Sequence, residues 1–254
     1  MAFIDINADA GESFGNWQLA NEADLFPYLS SVNLACGFHA GDPLNIQKSV
    51  ALASDLKLAI GAHPSFNDLV GFGRRLMAVS SVEIYADLIY QLAALAGFLK
   101  LKNIKMHHVK PHGALYQAML VDEKLAIAVA QAIYDFDKDL PLVTLAASGG
   151  EQMLKIAENI GLRVIAEAFP DREYLANGLL APRTMAGAVL NEPSKIAKRA
   201  VLMAQGNSFT SLDGQEISLK ADTLCIHGDN SNSANTAKAI KLALNNAGIE
   251  IKAF

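Results

Sequence analysis

The residues in this chain best equipped for chemistry follow short apolar runs. Asp9 and Glu12 follow the first run, His39 and Asp42 the second, and His63 the third. Lys110 and His112 come after the fourth, Glu167, Asp171 and Arg172 after a later one, and His227 with Asp229 after the last. Carboxylates and imidazoles gathered together can move protons to and from a reacting group, and the same atoms are donors for a divalent cation. Within MHHVKPHGALY, His108, Lys110 and His112 share a parity, so extended chain turns all three inward and His107 outward. A lysine desolvated there loses part of its preference for charge, which makes it a base or nucleophile beside a histidine that shuttles a proton. The alternative is an ion pair from Lys110 to a carboxylate such as Glu12 or Asp9, which interiors also hold for structure alone.

Other readings carry their own alternatives. Asp9, His39 and His63 form a candidate divalent-cation triad if their strands are neighbours; because the spacing is no local ligand motif, hydrogen-bonding histidines are the plainer reading. Arg74 and Arg75 in GFGRR can clamp a carboxylate bidentately, although paired loop arginines are commonly solvated. Arg172 in DREY either binds substrate or pairs with Asp171. Cys36 has nothing local to lower its pKa, so a buried thiol fits it better than a nucleophile. No phosphate loop of the G-x-x-x-x-G-K-[ST] type and no G-x-G-x-x-G after a strand is present.

To bring these residues to one mouth, the elements that carry them must run parallel. Strands are expected near Phe3–Asp9, Ser31–Gly37, Leu58–His63, Lys105–Lys110, Leu142–Ala146, Arg163–Ala168 and Thr223–His227. Helical periodicity fills the gaps, most clearly over Ser81–Leu101, where Ile84, Leu88, Leu92, Leu95 and Leu99 keep one face and Ser80 or Ser81 caps the start. Glu123–Tyr134 and Ser233–Ala247 repeat the pattern. Seven such units suit a closed or nearly closed α/β barrel, in which the carboxyl ends of the strands share one face. Two stretches break the alternation: the loop Phe66–Val79 and an insertion at Tyr174–Leu190, expected as a hairpin or flap.

The chain has 254 residues, enough for one barrel domain over 1–254, with 52% hydrophobic and 19% charged residues and a net charge of -5. That balance suits a globular enzyme and argues against a nucleic-acid partner. The opening MAFIDINADAGESFG reads as a buried strand and not as a signal peptide, and no apolar run is expected to reach the roughly 18 to 20 residues of a membrane span. Cys36 and Cys225, far apart and in apolar surroundings, suggest reduced thiols and a cytoplasmic protein. Homo-oligomer formation is left open.

Six blocks carry a resemblance: INADAGESFG, NLACGFHAGDP, IGAHPSFNDLVGFGRR, HVKPHGALY, EAFPDREY with GLLAPR, and CIHGD. Over essentially the whole length the chain resembles the LamB/YcsF family, the family of the A subunit of 5-oxoprolinase. It departs at Ala8 and Ala10, where a Cys and a Leu are expected nearby, and at Ser13, where a Gly is expected; Asp9 and Glu12 are retained. The resemblance implies an irregular seven-stranded β/α barrel similar to the glycoside hydrolase/deacetylase superfamily. It further implies ATP-dependent opening of 5-oxo-L-proline to L-glutamate with partner subunits B and C. ATP would be co-substrate, activating an unstrained amide that resists water.

On that reading Lys110 and His112 manage proton transfer, while Asp9, Glu12, His39 and His63 orient water and the activated carbonyl. Arg74 or Arg172 holds the substrate carboxylate, with Glu167, His227 and Asp229 completing the pocket. A metal-dependent deacetylase-like hydrolase and a non-catalytic lactam-binding protein are the rival readings. So many ionisable groups at one mouth exceed what capturing a small, singly charged molecule requires.

Overall fold

The computed structural model describes residues 2–19, 21–146, 150–227 and 232–254. Strand β1 (Phe3–Ala10) leads through the short helix α1 (Glu22–Leu25) and one 3-10 turn to β2 (Ser31–Ala35), followed by α2 (Pro43–Asp55) and β3 (Ala59–His63). Helices α3 (Ser81–Leu101), α4 (Gly113–Ala118) and α5 (Glu123–Phe136) precede β4 (Leu142–Leu145). The chain continues through α6 (Glu151–Ile160), β5 (Val164–Ala168), α7 (Pro193–Ala204), and the two-residue strands β6 (Phe209–Thr210) and β7 (Glu216–Ile217). It ends with β8 (Thr223–Ile226), α8 (Ser233–Asn246) and β9 (Glu250–Ile251).

Parallel pairing runs β3-β2-β1-β8-β5-β4, with β9 laid against the start of β1. The expected strand at Lys105–Lys110 is reduced to a parallel bridge at Val109, which pairs with Ala62 on one side and Leu142 on the other. Lys110 N donates to Ala62 O at 2.9 Å and Val143 N to Val109 O at 2.9 Å, so this short segment closes the ring as its seventh member. Pro111 ends it, since proline has no N–H for a ladder. Other expected strands stop one or two residues early. Ser31–Gly37 ends at Ala35, ahead of Gly37 with φ +97°, and Thr223–His227 ends at Ile226.

Alternation along the strands sorts the two sides of the ring. Ile4, Ile6, Ala8, Val32, Leu34, Ile60 and Ala62 face the helices and join the main apolar core. Asp5, Asn7, Asp9, Ser31, Asn33, His108, Lys110, Thr223 and Glu167 face inward and hydrogen-bond to one another. Gly61 makes room on this inner face, for a Cβ there would lie 2.2 Å from His108 Nε2. The interior is therefore a polar column inside an apolar sleeve.

Helix α3 begins as expected, with Ser80 as N-cap and Glu83 completing a capping box. Contrary to the expectation from apolar run length, it is long and apolar enough by length and composition to cross a membrane. Its Ile84, Leu88, Leu92, Leu95 and Leu99 are buried in the core and it packs against α5, which is the place of a core helix in a barrel wall. The insertion after β5 is hairpin-like, bridged antiparallel at Arg172–Val189 and Tyr174–Leu180. Both cysteines are buried free thiols.

Candidate active site

At the carboxyl ends of the strands lies a cleft of about 610 Å³, lined by Asp9, His63, Arg74, Lys110, His112, Tyr116, Phe169, Arg172, Arg183 and His227 among others. A second concavity of about 810 Å³, beside Thr144, Asn177 and Lys220, has Lys220 and Asp222 as its only charged lining residues among those described. The chemistry gathers in the first.

Lys110 is the centre of its floor. The ammonium lies 2.8 Å from Asp9 Oδ1, 2.8 Å from Glu167 Oε1 and 3.0 Å from Cys225 Sγ. Burial works against its charge, but Asp9, Cys225 and Glu167 outweigh burial and hold the amine protonated well above the usual lysine range. The ion pair set out as the structural alternative is thus present, with Glu167 as its second partner. Lys110 in this state donates hydrogen bonds and positive charge; it does not accept a proton. Burial likewise opposes the Asp9 carboxylate, and His63 with Lys110 overcomes it, keeping Asp9 ionised well below the usual range.

Next to this pair, three histidines stack into a block. The His39 and His112 rings are parallel with centroids 3.8 Å apart, and His63 meets His112 edge-on with centroids 4.8 Å apart. Each ring is fixed by its outer nitrogen. His63 Nδ1 sits 2.6 Å from Lys110 O, His112 Nε2 2.9 Å from Phe72 O, and His39 Nδ1 3.0 Å from Ser65 Oγ. The inner nitrogens converge with Glu12: His39 Nε2 is 3.2 Å and His112 Nδ1 3.5 Å from Oε1, and His63 Nε2 is 2.9 Å from His112 Nδ1. Burial, and then the neighbouring histidines, push His39 and His112 well below the usual imidazole range. The loop that carries Phe72 presses on the block closely enough to require Gly73, where φ is +63° and a Cβ would lie 2.8 Å from both His112 Cδ2 and His39 Cβ.

The donor atoms of Glu12, His39, His63 and His112 all lie within 4.8 Å of one another, a buried group able to hold a metal ion. Of the triad expected from sequence, His39 and His63 belong to this group, and its other donors are Glu12 and His112. Asp9 Oδ2 stands 3.3 Å from His63 Nε2, beside the group.

Several expected residues sort differently once the loops are seen. Arg74 lines the cleft, its guanidinium carbon 5.1 Å above the Phe72 ring. Arg75 is exposed and paired with Asp68, so the two arginines of GFGRR do different work. Arg172 reaches the cleft but donates to Ala181 O at 2.6 Å, tying down the insertion; its expected partner Asp171 instead holds His227 at 2.8 Å. Burial, and then Arg183 close by, lower the pKa of Arg172, a repulsion that an anion in the cleft would relieve. Asp42 caps α2 by accepting from Leu44 N and Asn45 N and takes no part in the mouth. Asp229 lies outside the described residues.

Residues not anticipated also line the site. Cys225 shares the parity of Thr223 and His227, so the alternation used for Lys110 would have found it. Tyr116 is one helical turn beyond His112 on α4, a neighbouring position on the same face. Tyr116 Oη, Glu167 Oε2 and Asp171 Oδ1 are buried with no hydrogen-bond partner among the described residues. Such atoms near a cleft are where a polar ligand is expected to bind.

Known proteins share this arrangement over its whole length. The model of the LamB/YcsF family matches residues 4–254. This chain belongs to the LamB/YcsF family. Among its relatives, the A subunit of 5-oxoprolinase from Thermus thermophilus is 50% identical over 251 residues, which cover 99% of each chain. The corresponding protein from Bacillus subtilis is 45% identical over 99% of this chain and 96% of its own. A crystal structure of the lactam utilization protein from Thermus thermophilus superposes with a TM-score of 0.94 at 48% identity, covering 99% of this chain and 100% of that one. The seven-membered barrel expected for the LamB/YcsF family is the fold observed.

Proposed function

We propose that this chain is the A subunit of a cytoplasmic ATP-dependent 5-oxoprolinase. On this reading, one domain spanning 1–254 opens the lactam of 5-oxo-L-proline to L-glutamate, together with partner subunits B and C, as ATP goes to ADP and phosphate. The observation that carries the reading is the cleft floor, where a locked lysine ammonium, an ionised aspartate and buried neutral histidines meet below a rim of arginines. The names of close relatives across their full length support the substrate.

In ring opening, water adds to the lactam carbonyl carbon, negative charge grows on its oxygen, and the ring nitrogen takes a proton as the C–N bond breaks. Lys110 supplies a fixed positive charge for the oxygen, since its own proton is held by two carboxylates. Asp9, held ionised, orients the attacking water, and the proton that the water loses passes to His63 Nε2, 3.3 Å from Asp9. From His63 Nε2 that proton crosses 2.9 Å to His112 Nδ1, which returns it to the ring nitrogen at the cleft surface. Arg74, with Arg183 also in the cleft lining, receives the substrate carboxylate, and the open atoms of Tyr116 and Glu167 meet the lactam N–H and C=O. ATP activates the amide by passing its γ-phosphoryl group to the lactam oxygen as ADP leaves; the first water then opens the ring to an acyl phosphate, and a second water releases phosphate and frees the glutamate carboxylate.

Glutamate formation from 5-oxoproline and ATP by the purified chain, alone and with subunits B and C, tests this. Activity is expected only in the assembled mixture, and His112→Ala is expected to lower it by about 10²-fold or more while assembly persists. Full turnover by the variant would remove His112 from the chemistry. No glutamate in any mixture would shift the reading to a metal-dependent deacetylase, which the histidine block favours and for which acetylated sugars are the substrates to try.

A further inference from the structure

The block formed by Glu12, His39, His63 and His112 has a hydrogen-bond problem that protons solve poorly. His63 Nδ1 and His112 Nε2 face backbone carbonyls, which only accept, so both nitrogens carry their hydrogens outward. Ser65 spends its one hydrogen on Phe66 O at 2.8 Å, so its oxygen accepts from His39 Nδ1, and that ring is fixed the same way. With those hydrogens turned outward, the inner nitrogens are the atoms that face one another and Glu12. His63 Nε2 faces His112 Nδ1 at 2.9 Å, and His39 Nε2 faces the Glu12 carboxylate at 3.2 Å. A proton at the His63–His112 contact creates a buried imidazolium ion, and one at the His39–Glu12 contact either creates a second or discharges Glu12. One divalent cation satisfies all four donors at once.

The spacing agrees. Four donors arranged tetrahedrally at about 2.0 to 2.1 Å from an ion stand about 3.3 Å apart. The separations here are 2.9, 3.2, 3.5 and 4.0 Å for four of the pairs, with every pair inside 4.8 Å. Outer-nitrogen hydrogen bonds to carbonyls and a hydroxyl are the arrangement that orients metal-bound histidines and fixes their tautomers. The donors come from two separate loops, from the last residue of β3 and from the residue that caps α4, so nothing local in the sequence forces them together. Three nitrogens with one carboxylate oxygen suit zinc and its first-row neighbours; magnesium and calcium prefer shells of oxygen.

We infer that Glu12, His39, His63 and His112 bind one divalent transition-metal ion of the zinc class at the floor of the cleft. Asp9 stands outside the shell, against His63. The ion is a property of the folded chain and does not depend on the oxoprolinase reading, so the two fail separately.

The test is metal content and binding on the full-length chain. The protein as purified, after chelator dialysis and after readdition of Zn²⁺, is measured by elemental analysis; about one tightly held ion per chain is expected after readdition. Replacement by Co²⁺ is expected to give the strong visible absorption of a four-coordinate ion, a readout that needs no variant. His39→Ala with His112→Ala abolishes it, and Ser65→Ala, which frees the His39 ring, weakens binding by about 10 to 100-fold. His107→Ala is the control: its ring contacts His108 Nδ1 at 3.0 Å and Phe254 O at 3.0 Å, away from the block, and leaves metal uptake unchanged. Absence of stoichiometric uptake by the unmodified chain, or equal uptake by the double histidine variant, overturns the inference. Metal uptake without lactam turnover upholds this site and counts against the oxoprolinase reading. Where both occur, a metal-bound His112 has no proton on Nδ1 to give, so uptake upholds the site and makes His112 a ligand in place of the proton donor.

Discussion

The two ends of the barrel interior use the same inward positions for opposite purposes. Near the amino end of β1, Asp5 is fully buried and receives hydroxyls from Ser30 at 2.6 Å, Ser31 at 2.8 Å and Thr223. Four residues further along the same strand, Asp9 meets a lysine, a histidine and an asparagine. Between them Asn7 and Asn33 link the layers, each amide bonded to both sides. The lower layer is neutral donors around one carboxylate. The upper layer is charge against charge, with acceptors left over, among the described residues, at Glu167 and Asp171. A buried carboxylate marks a functional site only when charged partners and access to a cleft accompany it.

The sharpest break in that contrast is Lys110→Met. It removes the charge shared by Asp9 and Glu167, and breaking a buried pair from one side costs about 3 to 5 kcal/mol. A lower melting temperature and loss of glutamate formation by about 10³-fold or more in the assembled mixture are expected, the second measured well below the melt. If the variant melts and turns over like the parent, the upper layer is no more functional than the lower.

The lower layer yields a pH signature. Burial pushes the Asp5 carboxyl up to about 6 from the usual 3.8, with Glu167 adding to the rise and the three hydroxyls opposing it. Its pKa is therefore raised in the folded state, so the native protein holds a proton that the unfolded chain releases. The contribution is full below the unfolded value and is lost as pH rises through about 6. Asp5→Asn does not titrate, so relative to the parent it should gain about 3 kcal/mol of stability between about pH 4 and about pH 7. Urea melts of both proteins across that range read the difference directly. A flat difference would mean that Asp5 sits as comfortably ionised as Asp9.

Much of this was legible in the sequence because alternation and strand order are local or pairwise rules. The parity of His108, Lys110 and His112, the capped α3, and the gathering of Asp9, His39, His63 and His112 all follow from apolar spacing and parallel strands. Partner choice within the mouth did not follow. Whether Lys110 is base or cation depends on Glu167, from a strand across the ring, and on Cys225. The place of Glu12 beside the three histidines depends on a loop turn at Gly11, φ +69°, that swings Glu12 back over the strand ends. Such placements are decided by side-chain reach across the ring, which no spacing along the chain encodes.

The smallest expected effect separates neighbours. Arg74 lines the cleft, whereas Arg75 is turned to Asp68, its Nε 3.0 Å from Oδ1 and its side chain largely exposed. The pair ties Arg75 to the buried Asp68 carboxylate, and Arg75 is absent from the cleft lining. Arg74→Ala should raise KM for 5-oxoproline by about tenfold or more with kcat less affected, because it removes one charge-assisted bond to a carboxylate that is present before and after the chemical step. Arg75→Ala should leave both constants within about twofold of the parent. Steady-state kinetics of the two variants in the assembled mixture decide the matter, and because both lose one positive charge, a general field effect would move them together. Equal losses would place substrate recognition in the loop as a whole; a loss confined to Arg74 would fix the substrate carboxylate at that one guanidinium.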